Sequence, residues 1–475
     1  MKRNPDPKHK HETQVEAKQP PANIDRADVR CEFRLPGRGA FLWGTATAAY
    51  QVEGDPAPSS WAAWEEQPGR ILGGDRSGLA CDWWNGRWRE DFDRAAAAHQ
   101  NAHRLSLDWA RIQPAPDRWD EEALDRYRLM LRGLTERGLT PLVTLHHFNN
   151  PLWLEERGGW ENPDAPALFA AFARRAAAAL KGYVSIWVTI NEPNVFVYYG
   201  YVLGAWPPGK RSLDAALRAA ANLVRGHAAA YRAIHAEQPE AQVGAAHNIR
   251  GMRPESAWNP LDRGGAAVID HLFNSMIPQA MASGTLNAVA SRVRIPEAAR
   301  TQDFIGLNYY TRTRVHINPL AREALQMRFP PGADLSDNGE IANDPAGLFK
   351  ALRWAQRFTG QDGFPLPVYI TENGVEDADD DLRPRYLLEH IHQVWRALNF
   401  CYPVRGYFHW SLVDNFEWER GWSQRFGLWE LDPLTQVRRR RRSADLYTEI
   451  CKLGGISTEM AAKYAPETVD KLFPI

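Results

Sequence analysis

The sequence predicts an α/β protein, a single (β/α)8 TIM barrel with elaborated βα loops, on three observations. Eight short apolar runs alternate with amphipathic stretches of helical spacing. No Gly/Ser linker or break in composition divides residues 37–455. Acidic and amide residues gather where several runs end, the end of a parallel barrel at which sites are built.

Residues 1–36 carry several Pro, alternating charge and few aliphatics, and read as a disordered polar leader. The candidate strands are Phe41–Thr45, Arg104–Trp109, Pro141–His147, Val184–Ile190, Gln242–Ala246, Phe304–Tyr310, Val368–Thr371 and Val404–Trp410. Between them, Glu121–Arg137 places apolar residues near i, i+3 and i+4, the mark of a helix with one buried face. Ala165–Leu180, Leu213–Ala236, Ala266–Met281, Gly347–Phe358 and Arg383–Leu398 read as helices as well. Strands alternating with helices argue for a parallel sheet, and eight of them for a closed barrel. Loops are punctuated at Pro114–Pro116 and Trp206–Gly209, and the long polar stretch Phe329–Asp344 is expected to wall the site. Residues 456–475 read as a small helical C-terminal extension.

Charge is nearly balanced, with 57 Lys+Arg against 58 Asp+Glu, so composition argues for neither nucleic acid nor an anionic membrane as partner. The run Arg438–Arg442 is expected to be a solvated surface. No stretch of 18 apolar residues occurs, and the first 30 residues lack the apolar core of a secretory signal. Cys31, Cys81, Cys401 and Cys451 show no C-x-x-C spacing and no clustering with His, which predicts reduced thiols, a cytoplasmic location and no metal site. The 19 Trp are an unusual load. Core filling accounts for many of them, but several stand beside polar residues, where an indole can stack on a sugar ring.

The fourth run ends VTINEP and the seventh YITENG, which puts Asn191, Glu192 and Glu372 at the top of the barrel. One Glu at a strand end is readily a surface ion pair. Two, each after an aliphatic strand and each next to Asn, suit glycoside hydrolysis, in which one carboxyl protonates the leaving oxygen and the other attacks the anomeric carbon. Their pKa values must then differ. Arg104, at an end of the second run, is a candidate to hold Glu372 ionised, and Tyr310 to add a hydrogen bond. Asn308 and Tyr310 stand at i and i+2, on one face of their strand. Gln51, Glu53, His147, Trp410, Glu417 and Trp418 are expected to complete a polar and aromatic ring. Taken alone, His147 is as readily a buried histidine satisfying a carbonyl.

With these residues in place the chain resembles glycoside hydrolase family 1, the β-glucosidase family. The matching stretches are FLWGTATAAYQVEG (41–54), HRLSLDWARIQP (103–114), TLHHFNNPLWL (144–154), WVTINEPN (187–194), DFIGLNYYTR (303–312), YITENG (369–374) and VRGYFHWSLVDNFEWERGWSQRFGL (404–428). The resemblance implies a retaining β-glycosidase working through a covalent glycosyl-enzyme, with no cofactor or metal. A β-glucosidase is the first expectation, with β-galactosidase or β-fucosidase activity beside it. It also implies Glu192 as acid/base and Glu372 as nucleophile, with Arg104, Asn308 and Tyr310 around the latter. Gln51, His147, Asn191, Glu417 and Trp418 would hold the glycone over Trp410, and the partner would be a small β-glycoside or oligosaccharide.

The chain departs from the family pattern at two places in the site. Phe148-Asn149 replaces the usual Trp-Asp, and the loop Gly339–Ile341 lacks the usual Trp, so an aromatic contact for the leaving group is expected to be missing unless Trp206, Phe196 or Phe349 supplies it. The resemblance also bears on two rivals. Retention of Glu417-Trp418 argues against a 6-phospho-β-glycosidase, which carries Ser for that Glu. The presence of both carboxylates argues against a binding-only relative.

Overall fold

A computed structural model describes residues 28–35, 40–321 and 323–474. Eight parallel strands close into a barrel: β1 (Leu42–Ala46), β2 (Ala102–Ser106), β3 (Thr140–His146), β4 (Ile186–Asn191), β5 (Gln242–Asn248), β6 (Phe304–Asn308), β7 (Val368–Asn373) and β8 (Val404–Trp410). Neighbours in the barrel are neighbours in sequence, and β8 closes on β1 with Trp410 beside Ala46. Every residue of β2, β4, β6 and β7 is buried, because the barrel interior covers one face and the outer helices the other.

Five of the six expected helices form with ends within three residues of expectation, among them Glu121–Glu136, Ala165–Leu180, Leu213–Glu237, Pro345–Ala355 and Arg383–Asn399. Ala165–Leu180 and Leu213–Glu237 pack on each other through small residues, Ala173, Ala176 and Ala177 on one and Ala215, Ala219 and Ala220 on the other. The sixth, expected over 266–281, is instead two α-helices, Pro260–Asp270 and Met276–Ser283, joined by a π-helical turn at His271–Ser275.

Of the expected leader, residues 1–27 and 36 lie outside the described residues. Within it, however, Arg30–Glu32 is a strand paired antiparallel with Gly455–Ser457, and Cys31 is buried. The C-terminal segment forms the helices Thr458–Tyr464 and Val469–Leu472 and is packed into the core. Met460, Ala461, Tyr464, Leu472 and Phe473 are buried in the same cluster as Leu387, Tyr407 and Tyr447.

The arginine run also departs from expectation. Arg438 bonds Asp91 and the Cys81 carbonyl, and Arg441 grips Asp414 at 2.8 and 3.0 Å; both side chains are buried. Arg439, Arg440 and Arg442 are the exposed residues of the run. The division follows partners rather than strand alternation: the buried pair meets the carboxylates Asp91 and Asp414, and the exposed ones pair with surface acids or backbone. Among the described residues no helix is long and apolar enough to cross a membrane.

Candidate active site

The C-terminal ends of the strands open into a cavity of about 240 Å³ lined by His147, Glu192, Tyr310, Glu372, Trp410, Glu417 and Trp418 among others. Glu372 is the penultimate residue of β7. Its Oε1 accepts from Arg104 Nη1 at 2.5 Å and its Oε2 from the Tyr310 hydroxyl at 2.7 Å. Arg104 sits in the middle of β2, fully buried, and is itself fixed by Thr144 Oγ1 at 3.1 Å and Asn191 Oδ1 at 2.6 Å. The glycine of TENG has a packing role. A Cβ on Gly374 would lie 2.0 Å from the Trp410 carbonyl oxygen, so only glycine lets the loop after Glu372 pass this close to the Trp410 backbone.

Glu192 follows β4 directly, in left-handed backbone conformation with φ 43°. Its Oε1 accepts from two neutral amides, Asn308 at 2.7 Å and Asn248 at 2.9 Å. The two carboxyls therefore have different company: a cation and a phenol hold Glu372, and amides hold Glu192. Burial, then the charge of Glu372, push the Glu192 pKa up to about 8. Burial also raises Glu372, but the Arg104 charge and the Tyr310 and Arg104 hydrogen bonds pull it back. At neutral pH this arrangement favours a protonated Glu192 beside an ionised Glu372.

Around this pair, His147 bonds Asn191 Nδ2 through Nε2 at 3.0 Å, and its Nδ1 is buried without a partner. Burial drives the His147 pKa well below its ordinary value, so the imidazole is neutral. Gln51 donates to Asn415 Oδ1, the Phe416 carbonyl and Glu417 Oε2 at 2.9, 2.9 and 3.0 Å, while its own Oε1 is buried and unpaired. Burial, reinforced by the Glu419 charge, raises Glu417 to about 8. Trp418 stacks with His147 at 6.1 Å between ring centres, and Trp410 does so at 6.0 Å. Unpaired polar atoms beside aromatic faces suit a ligand that is apolar on its faces and hydroxylated at its edges.

The structure thus brings together Gln51, Arg104, His147, Asn191, Glu192, Asn308, Tyr310, Glu372, Trp410, Glu417 and Trp418. Asn308, expected beside the nucleophile, donates instead to Glu192 Oε1 at 2.7 Å and to Asn191 Oδ1 at 3.1 Å, and accepts from Thr371, the residue before Glu372, at 2.5 Å. Glu53 does not join the ring. It pairs with Arg111 at 2.8 Å and accepts from the Tyr127 hydroxyl at 2.8 Å, because two residues along a helical turn from Gln51 its side chain points the other way.

Phe148 keeps the expected aromatic shape against Trp206 and Trp418, and Asn149 accepts from Ser60 and Trp61 beneath the site. The leaving-group wall is not bare. Glu340 and Ile341 line it without a tryptophan, but Tyr198, Tyr199, Trp206 and Phe273 line the same cavity. Of the three candidate substitutes only Trp206 is there; Phe196 packs on His146 and Tyr201, and Phe349 on Phe400 and Tyr402. Asn248 and Arg250, at the end of β5, are site residues that sequence reasoning missed. Among the described residues one acidic group, Asp337, Asp377 and Asp379, brings ligand-type atoms within 4.8 Å of one another. None of the three lines the cavity.

Comparison with known proteins agrees with this geometry. The model of glycosyl hydrolase family 1 matches residues 34–456. β-Glucosidase A of Thermotoga maritima is 33% identical over 444 residues, covering 88% of this chain and 98% of that protein. A β-galactosidase of Pyrococcus woesei is 30% identical over 504 residues, covering 88% and 98%. Among solved structures, a β-glycosidase from Pyrococcus horikoshii superposes with a TM-score of 0.83 at 36% identity, over 92% of this chain and 98% of that one. The T. maritima β-glucosidase in complex with glucoimidazole superposes with a TM-score of 0.83 at 32% identity, over 90% and 100%. The chain belongs to glycosyl hydrolase family 1 and is a retaining β-glycosidase.

Proposed function

We propose that Glu372 is the nucleophile and Glu192 the acid/base of a β-glucosidase. The observation that carries the assignment is the unequal company of the two carboxyls: Arg104 and Tyr310 on Glu372, neutral amides on Glu192. In the first step the Glu372 carboxylate bonds to the anomeric carbon, the bond to the aglycone oxygen breaks, and the Glu192 proton goes to that oxygen. Esterification removes the Glu372 charge, the second of the causes raising Glu192. Glu192 then becomes the stronger acid, is left as carboxylate, and takes a proton from water as the water oxygen displaces the ester. Transfer to an alcohol would share the first step.

Gln51, His147, Asn191, Glu417 and Trp418 hold the glycone in this reading, with Trp410 as its platform. The relatives named β-glucosidase support glucose as the first sugar to try, and the one named β-galactosidase supports including galactose. Sequence charge alone overstates the case against a 6-phospho sugar, because Glu417 is raised to about 8 and is largely protonated at neutral pH. The stronger argument is that Gln51 already occupies one Glu417 oxygen and, among the described residues, no Lys or Arg bonds the other. Four free thiols, three of them buried, support a cytoplasmic enzyme.

Azide rescue on p-nitrophenyl β-glycosides, with a 6-phospho substrate in the panel, tests the roles. Glu372→Ala should lose turnover and, with azide, release an α-glycosyl azide. Glu192→Ala should form the glycosyl-enzyme from good leaving groups, and azide should then yield the β-product. The opposite stereochemistry would show the two roles to be exchanged.

A further inference from the structure

One cation in the pocket has no partner in the chemistry described so far. Arg250 lies two residues beyond Asn248, the amide bound to Glu192 at 2.9 Å, and lines the same cavity. Its backbone is pinned in both directions by one side chain. The Arg250 N–H donates to Asn274 Oδ1 at 2.9 Å, and its carbonyl accepts from Asn274 Nδ2 at 2.7 Å. The head group is anchored separately, by Nε donating to Thr313 Oγ1 at 2.5 Å. Thr313 belongs to the strand Arg312–Ile317, which pairs in parallel with Gly251–Pro254. A guanidinium held at both ends is pre-organised for a ligand.

Its remaining donors are not committed. The terminal nitrogens of Arg250 make no hydrogen bond or ion pair to the described residues. Glu340, whose charge Arg250 feels, is already paired with Arg420 at 2.6 Å. Burial lowers the Arg250 pKa from its ordinary value, and the nearby tyrosines and Glu340 offset this only in part. Arg250 is half-buried at the cavity wall, and a cation partly withdrawn from water gains from an anionic partner. Around it the wall is aromatic and apolar: Tyr198, Tyr199, Phe273 and Met252.

Placement decides which part of a substrate Arg250 meets. On the assignment proposed above, Glu192 delivers its proton to the glycosidic oxygen, so the aglycone lies on the Glu192 side. Gln51 and Glu417 mark the opposite, glycone, end.

We propose that Arg250 binds a carboxylate carried by the aglycone, so that the preferred substrates are β-glycosides of aromatic or apolar alcohols bearing an acid group. The fork of a guanidinium matches a carboxylate in plane, and the aromatic wall takes the ring between the two charges. The inference rests on the proposed acid/base role of Glu192.

The test is kcat/KM for the β-glucosides of 3-hydroxybenzoate and 3-hydroxybenzamide, measured on the wild type, Arg250→Met and Arg250→Lys. Dividing one substrate by the other in each protein, then comparing proteins, cancels the difference in leaving-group acidity. A lost charge-assisted hydrogen bond is worth about 1.5–3 kcal/mol, so the carboxylate-to-amide ratio should fall roughly ten- to hundredfold in Arg250→Met. Arg250→Lys should recover part of it. A ratio unchanged in Arg250→Met overturns the proposal. Failure of the wild type to hydrolyse either glucoside overturns the proposed β-glucosidase reading instead. Should Arg250→Met not fold, inhibition of the wild type by free 3-hydroxybenzoate against 3-hydroxybenzamide reads the same contact, and equal inhibition overturns it.

Discussion

Glu192 should make the enzyme less stable as pH rises, and its removal as a titrating group should be visible without any substrate. Its pKa is about 8 in the folded chain against an ordinary value of 4.5. Between those values the folded protein keeps a proton there that the unfolded chain releases. The native state then binds more protons than the unfolded one, so stability falls as pH rises through that window. The slope for one such group approaches about 1.4 kcal/mol per pH unit. Over the whole window the loss is on the order of a few kcal/mol. Glu192→Gln keeps the shape and still accepts from Asn308 and Asn248 through its amide oxygen, but it does not titrate. For a chain of 475 residues about 1 kcal/mol moves the midpoint by roughly 1 °C. Melting curves of the two proteins should coincide near pH 4.5, with Glu192→Gln pulling ahead by roughly 3–5 °C by pH 8 and levelling off above it. Other raised carboxyls, Glu417 among them, tilt both curves alike, so the difference isolates Glu192. Parallel curves from pH 5 to 9 would refute the claim that Glu192 holds its proton because of its surroundings.

Two further outcomes follow from the same contacts. Asn248→Ala removes one of the amide bonds that favour the Glu192 carboxylate, so the alkaline limb of kcat/KM should move upward from its position near pH 8; an unmoved limb would mean that Asn248 does not act on the acid. Arg438→Ala should cost about 1–3 kcal/mol in denaturant unfolding, because the buried Asp91 loses one of its two cations while keeping Arg94 and the Trp83 indole, whereas Arg439→Ala, on the exposed face, should stay within about 0.5 kcal/mol; equal losses would contradict the burial difference.

The barrel was legible because its strands are aliphatic runs covered on both faces, and such runs survive in the sequence as blocks. The carboxyl pair was legible for the same reason: VTINEP and YITENG put a polar residue immediately after an apolar block. What the sequence hid was smaller than a block. Arg30–Glu32 is three residues long and flanked by charge, and only its pairing with Gly455–Ser457, far along the chain, makes it a strand. The Arg438–Arg442 run hid a division between buried and exposed residues, because five identical side chains carry no periodicity to read. Glu53 was misplaced because closeness to Gln51 in sequence says nothing about which side of a helical turn a side chain leaves from.

The omission of Asn248 and Arg250 has a sharper cause, and it bears on specificity. β5 extends to Asn248, two residues past the Ala246 at which its aliphatic character stops. Read as ending at Ala246, the strand shows no polar residue at its top, and the rule that located Glu192 and Glu372 passes over it. The strand runs on because β6 pairs with it to the end, Leu307 beside His247 and Asn308 beside Asn248. That pairing sets Asn248 level with Asn308, and the two amides close on the same oxygen of Glu192. The chain then turns at Ile249 and is pinned at Arg250 by Asn274. Local hydropathy marks where a strand is apolar, whereas ladder hydrogen bonds decide where it ends. The residues between those two points are the ones that a barrel enzyme can vary without disturbing its core. In this chain the interval on β5 holds the amide that bonds Glu192 and leads directly to Arg250, whose terminal nitrogens have no bond to the described residues. Differences in leaving-group preference among barrels of this build should therefore concentrate at such polar strand extensions rather than at the carboxyls themselves.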